Sequence, residues 1–210
     1  YGVRVINEDD YIIAVNKPSG VLSVPGNIPI GSVAELLQQK CKTNIFPVHR
    51  LDMDTSGVLV FAKDIGSYKV MQSQFASRSV HKEYVALLGG ILLPDKGEIN
   101  LPLSEDYNHR PAQMVDFENG KESVTKYEVL ERDYANSLTR VRFVPITGRT
   151  HQLRVHSAHI LGLGIPIVGD TLYGGIPSER LMLHAESVTF KHPVTHKDIC
   201  IRKETGSNEF

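Results

Sequence analysis

The sequence predicts an α+β fold built on a largely antiparallel sheet. Between about residues 98 and 145, strand-like segments follow one another and are joined by turn residues such as Asn119-Gly120, as in consecutive antiparallel strands. Helix-like segments are few, and they do not alternate with strands as a parallel βαβ fold requires. The chain of 210 residues is long enough for one sizeable core.

The first 90 residues are predicted to form four strands and two helices. A serine or an aspartate stands before each helix, where its side-chain oxygen can accept a hydrogen bond from a free backbone amide. These caps are Ser32, for a helix to Lys40, and Asp64, for a helix to about Arg78. The strands are expected at Val3–Asn7, Tyr11–Asn16, Val58–Lys63 and Ser79–Leu88.

The rest of the chain is predicted to be mostly strand. One helix is expected from His151 to about Leu161, where Gly162 would end it. The strands are expected at Glu98–Leu101, Gln113–Phe117, Ser123–Arg132, Leu138–Pro145, Ile165–Val168, Met182–Phe190 and Asp198–Arg202.

Composition limits the class of protein. The chain is 41% hydrophobic and 22% charged, which is usual for a soluble globular protein. The longest apolar runs, such as Val58–Ala62 and Val85–Leu88, are too short to cross a bilayer. The two cysteines, Cys41 and Cys200, form no CxxC pair. We therefore expect a cytoplasmic protein with reduced thiols, and the alternative is one long-range disulfide between these two cysteines.

The net charge of −1 counts against nucleic-acid binding, because nucleic-acid-binding domains are usually basic. The charge is unevenly distributed, however. Residues 140–160 contain four arginines and three histidines but no Asp or Glu. A local site for an anionic ligand therefore remains compatible with the composition.

The densest group of polar side chains lies at His49–Gly57. Arg50 and Asp52 are two residues apart, so in extended backbone both point to the same side. An arginine held beside a carboxylate keeps it ionised, and the plain alternative is a structural ion pair. Asp54 offers a second carboxylate or a turn cap. Ser56 lacks the GxSxG context of a nucleophile.

Two further segments carry reactive side chains. In a helix that starts near Thr150, Gln152 and His156 share one face. The nearby histidines lack the glutamate of an HExxH site, so no metal is expected. In the strand after Ser79, Tyr84 is either a site residue or part of the half-buried core. Phosphate-binding glycine motifs are absent from the sequence, so no nucleotide cofactor is indicated.

Together these segments resemble a known family. His49–Gly57 resembles the HRLDxxTSG signature of the RluA family of RNA pseudouridine synthases. The similarity continues, in the family's order, through Asn16–Gly20, Lys82–Ala86, Gly148–His156 and Gly169-Asp170.

The resemblance implies the pseudouridine synthase fold, a mixed and mostly antiparallel sheet with flanking helices and a central active-site cleft. Residues 1–203 would form a single catalytic domain, with a frayed tail at 204–210. The stretch Asn108–Asp116 is closer to the RluA branch than to larger members of the family, which often carry an N-terminal S4 domain. No S4 domain is visible in this sequence, although the start at Tyr1 rather than Met leaves residues upstream open.

The resemblance also implies roles for individual residues. Asp52 matches the catalytic aspartate, Arg149 the arginine that pairs with it, and Tyr84 the tyrosine stacked on the target base. Arg50 matches the arginine that replaces the flipped base, and Leu183 lies where the family has an apolar pocket residue. Three further arginines are expected to hold RNA phosphates: Arg140, Arg142 and Arg154.

The implied reaction breaks the N1–C1′ bond of a uridine and rejoins the base through C5, without cofactor or metal. Asp52 would act either as a nucleophile at C1′ or as the base that removes a ribose proton. The expected substrates are a tRNA anticodon stem-loop, large-subunit ribosomal RNA or both, and the expected state is a monomer. The alternatives are a synthase for another tRNA position, a hydrolase using Asp52 with Asp54, and a non-catalytic RNA-binding module.

Overall fold

The computed structural model describes residues 2–205 and residue 210. Most of the tail predicted at 204–210 therefore lies outside the described residues. At residue 210, the Phe210 ring lies 5.4 Å from the guanidinium carbon of Arg180. None of the described helices is long and apolar enough to span a bilayer.

The described residues form twelve strands and three helices. The helices are α1 (Val33–Cys41), α2 (Ile65–Ala76) and α3 (Gln152–Ala158). The strands are β1 (Arg4–Glu8), β2 (Ile12–Lys17), β3 (Phe46–Pro47), β4 (Ser56–Ala62), β5 (His81–Leu88), β6 (Lys96–Asn100), β7 (Leu103–Glu105), β8 (Gln113–Val115), β9 (Val124–Asp133), β10 (Leu138–Pro145), β11 (Leu183–Lys191) and β12 (Asp198–Arg202). This is the predicted α+β class.

The chain divides into two compact units. Unit 1 contains the described residues up to Lys82 together with His184–Thr205, and unit 2 contains Glu83–Leu183 together with Phe210 among the described residues. Nearly all of unit 2 therefore lies in one stretch, residues 83–183, which separates the two stretches that form unit 1.

Unit 1 is a sheet with strand order β1-β2-β4-β11, in which β12 pairs with β11 and β3 with β4. The pairing of β4 with β11 is parallel, with Gly57 opposite Ala185, and the other pairs are antiparallel. Every residue of β4 is buried. Burial of this apolar strand, at roughly 25 cal/mol per Å², makes β4 the centre of the unit.

The helices of unit 1 begin where the sequence predicts. Ser32 accepts a hydrogen bond from the Glu35 amide (3.3 Å), and Asp64 accepts one from the Ser67 amide (2.8 Å). Each cap satisfies an amide that has no partner within its helix.

Unit 2 is an antiparallel sheet with strand order β5-β10-β9-β6, accompanied by the separate hairpin β7–β8. Its core lies on the face of β10 that carries Val141 and Phe143, and Leu153 of α3 packs on the same cluster. The bounds of β10 agree with the prediction, as do those of β12 in unit 1.

Two expectations for the secondary structure are wrong. Ile165–Val168 is not a strand, and only one isolated bridge, between Leu88 and Ile167, is formed there. Pro166 has no amide to donate to a second rung. The third helix is shorter than predicted, because His151 adopts φ 54° and His159 is extended, so the helical backbone covers only Gln152–Ala158. The short strands β3 and β7 were not expected.

Candidate active site

Asp52 lies on a loop, residues 51–55, that leads directly into β4. We call this segment the Asp52 loop. One of its supports is Lys17, which is fully buried. The Lys17 ammonium donates to the carbonyl oxygen of Met53 at 2.7 Å, and also to those of Val21 (2.6 Å) and Pro18 (2.9 Å). A charged donor forms strong hydrogen bonds, so the chain next to Asp52 is firmly held.

Two serines hold the neighbouring carbonyl groups of the same loop. Ser19 donates to the carbonyl oxygen of Asp54 at 2.6 Å. Ser23 donates to the carbonyl oxygen of Leu51 (2.7 Å) and accepts from the Leu51 amide (3.0 Å). The Asn16–Gly20 motif and the residues after it thus serve to fix the backbone on both sides of Asp52.

The Asp52 side chain itself is partly exposed. Within the described part of unit 1 its carboxylate accepts no hydrogen bond, and it forms no ion pair with Arg50, which is exposed. The plain alternative of an Arg50–Asp52 structural ion pair is therefore wrong. The backbone oxygen of Asp52 accepts from the Thr55 amide (3.1 Å). An open carboxylate on a fixed backbone is suited to meet a ligand.

His49 supports the start of this segment as a neutral ring. Its Nε2 accepts from the Val60 amide (2.9 Å), and the ring stacks on Phe75 with centroids 5.0 Å apart. Burial, with a smaller contribution from the charge of Lys82, lowers the pKa of His49 to about 3. The proton is therefore on Nδ1, and His49 ties the chain before Asp52 to β4 and α2.

Ser56 and His184 join β4 to β11. The Ser56 hydroxyl lies 2.7 Å from His184 Nδ1, and His184 Nε2 lies 2.6 Å from the carbonyl oxygen of Lys203. A carbonyl only accepts, so Nε2 donates and Nδ1 accepts from Ser56. Both side chains are buried, which makes the pair a structural contact rather than an exposed nucleophile.

In unit 2, Tyr84 and Leu183 belong to one apolar cluster. Tyr84 is half-buried on β5, opposite Phe143 of β10, and packs against the core that contains the buried Leu183. The carboxylate of Glu83, the residue before Tyr84 in the strand, lies 3.2 Å from Nε of Arg142. The structure thus brings two of the predicted pocket residues into contact with the same hydrophobic core.

Arg149 is half-buried just before α3. Its Nε donates to the carbonyl oxygen of Glu122 (2.9 Å), and its backbone amide donates to Oε1 of Gln152 (3.1 Å). Its other guanidinium N–H groups have no acceptor among the described residues of unit 2. They are available for a carboxylate or a phosphate.

The three arginines expected to hold phosphates occupy different surroundings. Arg140 and Arg142 are half-buried on β10. Arg154 is 4% exposed, and its Nε and Nη2 donate to the two carboxylate oxygens of Asp170 at 3.0 and 2.7 Å. The expected phosphate contact of Arg154 is therefore wrong, because its guanidinium is enclosed and braces the Gly169-Asp170 motif.

The histidines of α3 bind within the protein. His151 Nδ1 lies 2.7 Å from the Tyr173 hydroxyl, and His156 lies between Thr125 and the Leu101 carbonyl. Gln152 also contacts Thr125, so the predicted shared face of Gln152 and His156 is confirmed. In the part of the chain that the structure describes, no group of three or more His, Cys, Asp or Glu side chains could hold a metal ion.

Comparison with known proteins gives concordant matches. The family model described as RNA pseudouridylate synthase matches residues 11–159. The dual-specificity RNA pseudouridine synthase RluA of Pasteurella multocida is 46% identical over 198 residues, which cover 92% of this chain and 89% of that protein. Its counterpart from Escherichia coli O6:H1 is 44% identical over 194 residues, covering 90% and 87%.

Two solved human structures share the fold. RNA Pseudouridylate Synthase Domain Containing 1 superposes with a TM-score of 0.83 at 28% identity and covers 97% of this chain and 84% of its own. RNA Pseudouridylate Synthase Domain Containing 4 gives 0.79 at 26% identity, covering 97% and 88%.

Proposed function

The chain belongs to the RNA pseudouridylate synthase family, and on that premise we propose that it converts specific uridines of structured RNA into pseudouridine. The observation that carries the proposal is the Asp52 carboxylate. It is open and partly exposed, and it lies within the HRLDxxTSG-like stretch on a loop held through the carbonyl groups of residues 51, 53 and 54.

The chemistry requires a group of this kind. Breaking the N1–C1′ bond leaves the sugar electron-deficient, as in glycoside hydrolysis, and an ionised carboxylate stabilises that centre. Asp52 either attacks C1′, forming an ester bond that breaks when C5 bonds to C1′, or removes a ribose proton that it returns once C5 has bonded to C1′. The base then rejoins through C5, the hydrogen of C5 passes to solvent, and N1 regains a proton, so the reaction is balanced without a co-reactant.

The resemblance assigns the other roles. Arg149 pairs with the catalytic carboxylate and keeps it ionised. Tyr84 gives the flipped base a flat platform, for which stacking contributes about 1–3 kcal/mol, and Leu183 lines the same pocket. Arg50, which is exposed, fills the space left by the base with its planar guanidinium.

The proposed substrate has two forms. The curated relatives are named dual-specificity RNA pseudouridine synthases, which supports action on two kinds of RNA, and the two that we propose are a tRNA anticodon stem-loop and large-subunit ribosomal RNA. Arg140 and Arg142 are the proposed phosphate contacts on unit 2. We further propose that residues 1–203 act as one catalytic domain in a cytoplasmic monomer, without cofactor.

The test is tritium release from RNA labelled at uridine C5. We expect the wild-type protein to release tritium to water from tRNA and ribosomal RNA transcripts with no cofactor added. Asp52→Asn should abolish release and keep RNA binding, whereas Asp54→Asn, the neighbouring carboxylate, serves as the matched control and should remain active.

Three results would contradict the proposal. No release by folded wild-type protein from either transcript would favour a non-catalytic RNA-binding module. Free uracil that retains its tritium, with activity lost in Asp54→Asn, would indicate a hydrolase. Full activity of Asp52→Asn would remove Asp52 from the reaction.

A further inference from the structure

A buried polar network in unit 2 connects β9 to α3 and ends at the backbone of Arg149. Its four side chains are each at most 4% exposed. We call it the Gln152 network, and its members are Thr125, Thr147, Gln152 and His156. Buried polar groups are costly unless they are hydrogen-bonded, so the directions of the hydrogen bonds within it are informative.

One end of the network fixes the tautomer of His156. His156 Nε2 lies 2.9 Å from the carbonyl oxygen of Leu101, which can only accept, so Nε2 donates. Nδ1 of the neutral ring therefore accepts from the Thr125 hydroxyl at 2.8 Å. Thr125 in turn accepts from Nε2 of Gln152 at 3.0 Å. Burial lowers the pKa of His156, in agreement with a neutral ring.

The other end of the network uses the second N–H group and the oxygen of the Gln152 carboxamide. Its second N–H donates to the carbonyl oxygen of Val124 (2.9 Å). Its Oε1 accepts from the Thr147 hydroxyl (2.6 Å) and from the Arg149 amide (3.1 Å). Thr147 accepts from the Val124 amide (3.0 Å). Two donated and two accepted bonds use the full capacity of a carboxamide, which leaves Gln152 one orientation.

Residue 152 binds Arg149 twice. Oε1 of Gln152 accepts from the Arg149 amide, and the Gln152 amide donates to the Arg149 carbonyl oxygen (3.1 Å). The turn between them contains His151 at φ 54°, a left-handed conformation that side chains adopt at a cost. The side chain of Gln152, three residues later, therefore holds the backbone of Arg149 in a strained turn.

We propose that Gln152 is a positioning residue that aims Arg149 through the Gln152 network. The inference rests on the proposed function, since Arg149 matters to the reaction only as the partner of the catalytic carboxylate. A glutamate at 152 would lack the two donors, and a methionine would lack all four bonds. Only the carboxamide meets Thr125, Val124, Thr147 and Arg149 at once.

The experiment measures single-turnover tritium release and RNA affinity for Gln152→Met, which keeps the length of the side chain. We expect the rate at saturating RNA to fall about ten- to a hundredfold, as for a catalytic group misplaced by about 1 Å. RNA affinity should change less than about threefold, because the change reaches the reacting centre through Arg149 and removes no surface contact.

A second variant, Thr147→Val, removes one donor to Gln152 and covers the case in which Gln152→Met does not fold. Its matched control is Thr139→Val. Thr139 is a fully buried threonine whose hydroxyl accepts from the Leu92 amide and donates to the Gly90 carbonyl oxygen. Thr139→Val should lower stability in the same way as Thr147→Val and leave the rate of the folded protein unchanged.

Combining the change at Gln152 with Arg149→Lys distinguishes a positioning role of Gln152 from a purely structural one. If Gln152 acts through Arg149, the change at 152 should cost much less in that background than in the wild type. An equal loss in both backgrounds, a normal rate for Gln152→Met, or full activity of Arg149→Lys would overturn the inference. Failure of the proposed function itself is seen separately, as a wild-type protein that releases no tritium.

Discussion

The lysine beneath the Asp52 loop provides the sharpest test of how this site is built. Lys17→Met keeps most of the side chain and removes an ammonium that donates to three carbonyl oxygens. The Met53 oxygen would keep its bond from the Gly20 amide at 2.8 Å, and the part-buried Pro18 oxygen can turn to water. The Val21 oxygen, in buried surroundings, loses its charged donor.

The magnitude follows from that count. A buried acceptor left unsatisfied costs about 1–3 kcal/mol, and relief of the desolvation of the ammonium offsets part of the other losses. We therefore expect the free energy of unfolding in urea to fall by about 1–3 kcal/mol. Because Ser19 and Ser23 still hold the Asp52 loop, we expect the single-turnover rate to fall about tenfold, less than a full 1 Å displacement costs.

Lys63→Met is the matched control. Its ammonium also donates to a backbone carbonyl, that of Asp9, and to Glu8, but at the exposed surface, where ion pairs contribute at most about 1 kcal/mol. It should leave the rate unchanged. If Lys17→Met, assayed where it is fully folded, reacts as fast as the wild type, the position of Asp52 does not depend on this lysine and the reasoning is refuted.

Three further predictions concern stability. Gly57→Ala should cost more than about 3 kcal/mol or prevent folding, because φ is +122° and the new Cβ would lie 2.2 Å from the Ala185 carbonyl oxygen; thermal unfolding measures it. His49 favours its neutral form when folded, so the stability it contributes is complete above pH 6.5 and is lost as pH falls towards 3. Between pH 7 and 5 this loss should reach about 2 kcal/mol in urea unfolding. Arg154→Met should cost about 3–5 kcal/mol by leaving Asp170 charged and buried, with RNA affinity of the folded protein unchanged.

Matched variants decide these three cases. Gly26→Ala should be tolerated, since its Cβ would lie 3.7 Å from a leucine methyl group; a loss as large as that of Gly57→Ala would contradict the clash. His49→Phe keeps the stacked ring, and a pH dependence as steep as in the wild type would exclude His49 as its source. Replacing Arg154 and Asp170 together by Met and Asn should recover stability relative to Arg154→Met. If folded Arg154→Met binds RNA more weakly than the wild type, Arg154 contacts an RNA phosphate after all.

Local signals made much of the fold predictable. Ser32 and Asp64 cap their helices by bonds to amides three residues away, so the relevant information lies within one turn of sequence. The strand β10 was predictable because Val141 and Phe143 alternate with two arginines at its centre. Ile165–Val168 was not, because the pairing capacity of a strand depends on neighbours distant in sequence and on where a proline falls among them.

The residue types of the site were predictable from the sequence, but the side chains that hold those residues in place were not. Asp52 can be recognised from the residues around it in the sequence. Lys17, in contrast, binds the carbonyl oxygen of a residue 36 positions away. Because every residue has a backbone carbonyl group, the sequence does not indicate which one a lysine will bind. The same applies to Gln152, since two of its four side-chain bonds are to backbone groups, those of Val124 and Arg149. Arg154 was misjudged because charge alone does not distinguish a surface arginine from one enclosed with Asp170.

The division of the chain has a consequence for the order in which the protein folds during synthesis. Residues 83–183 of unit 2 interrupt unit 1, whose core combines Val58 and Val60 of β4 with Val188 and Phe190 of β11. The ribosome must therefore release residues 83–183 before β4 can acquire its parallel neighbour β11. Until then the nascent chain carries an apolar strand with an open edge, the kind of surface on which chaperones act. The residues that present Asp52 reach their final packing only when the last strands emerge.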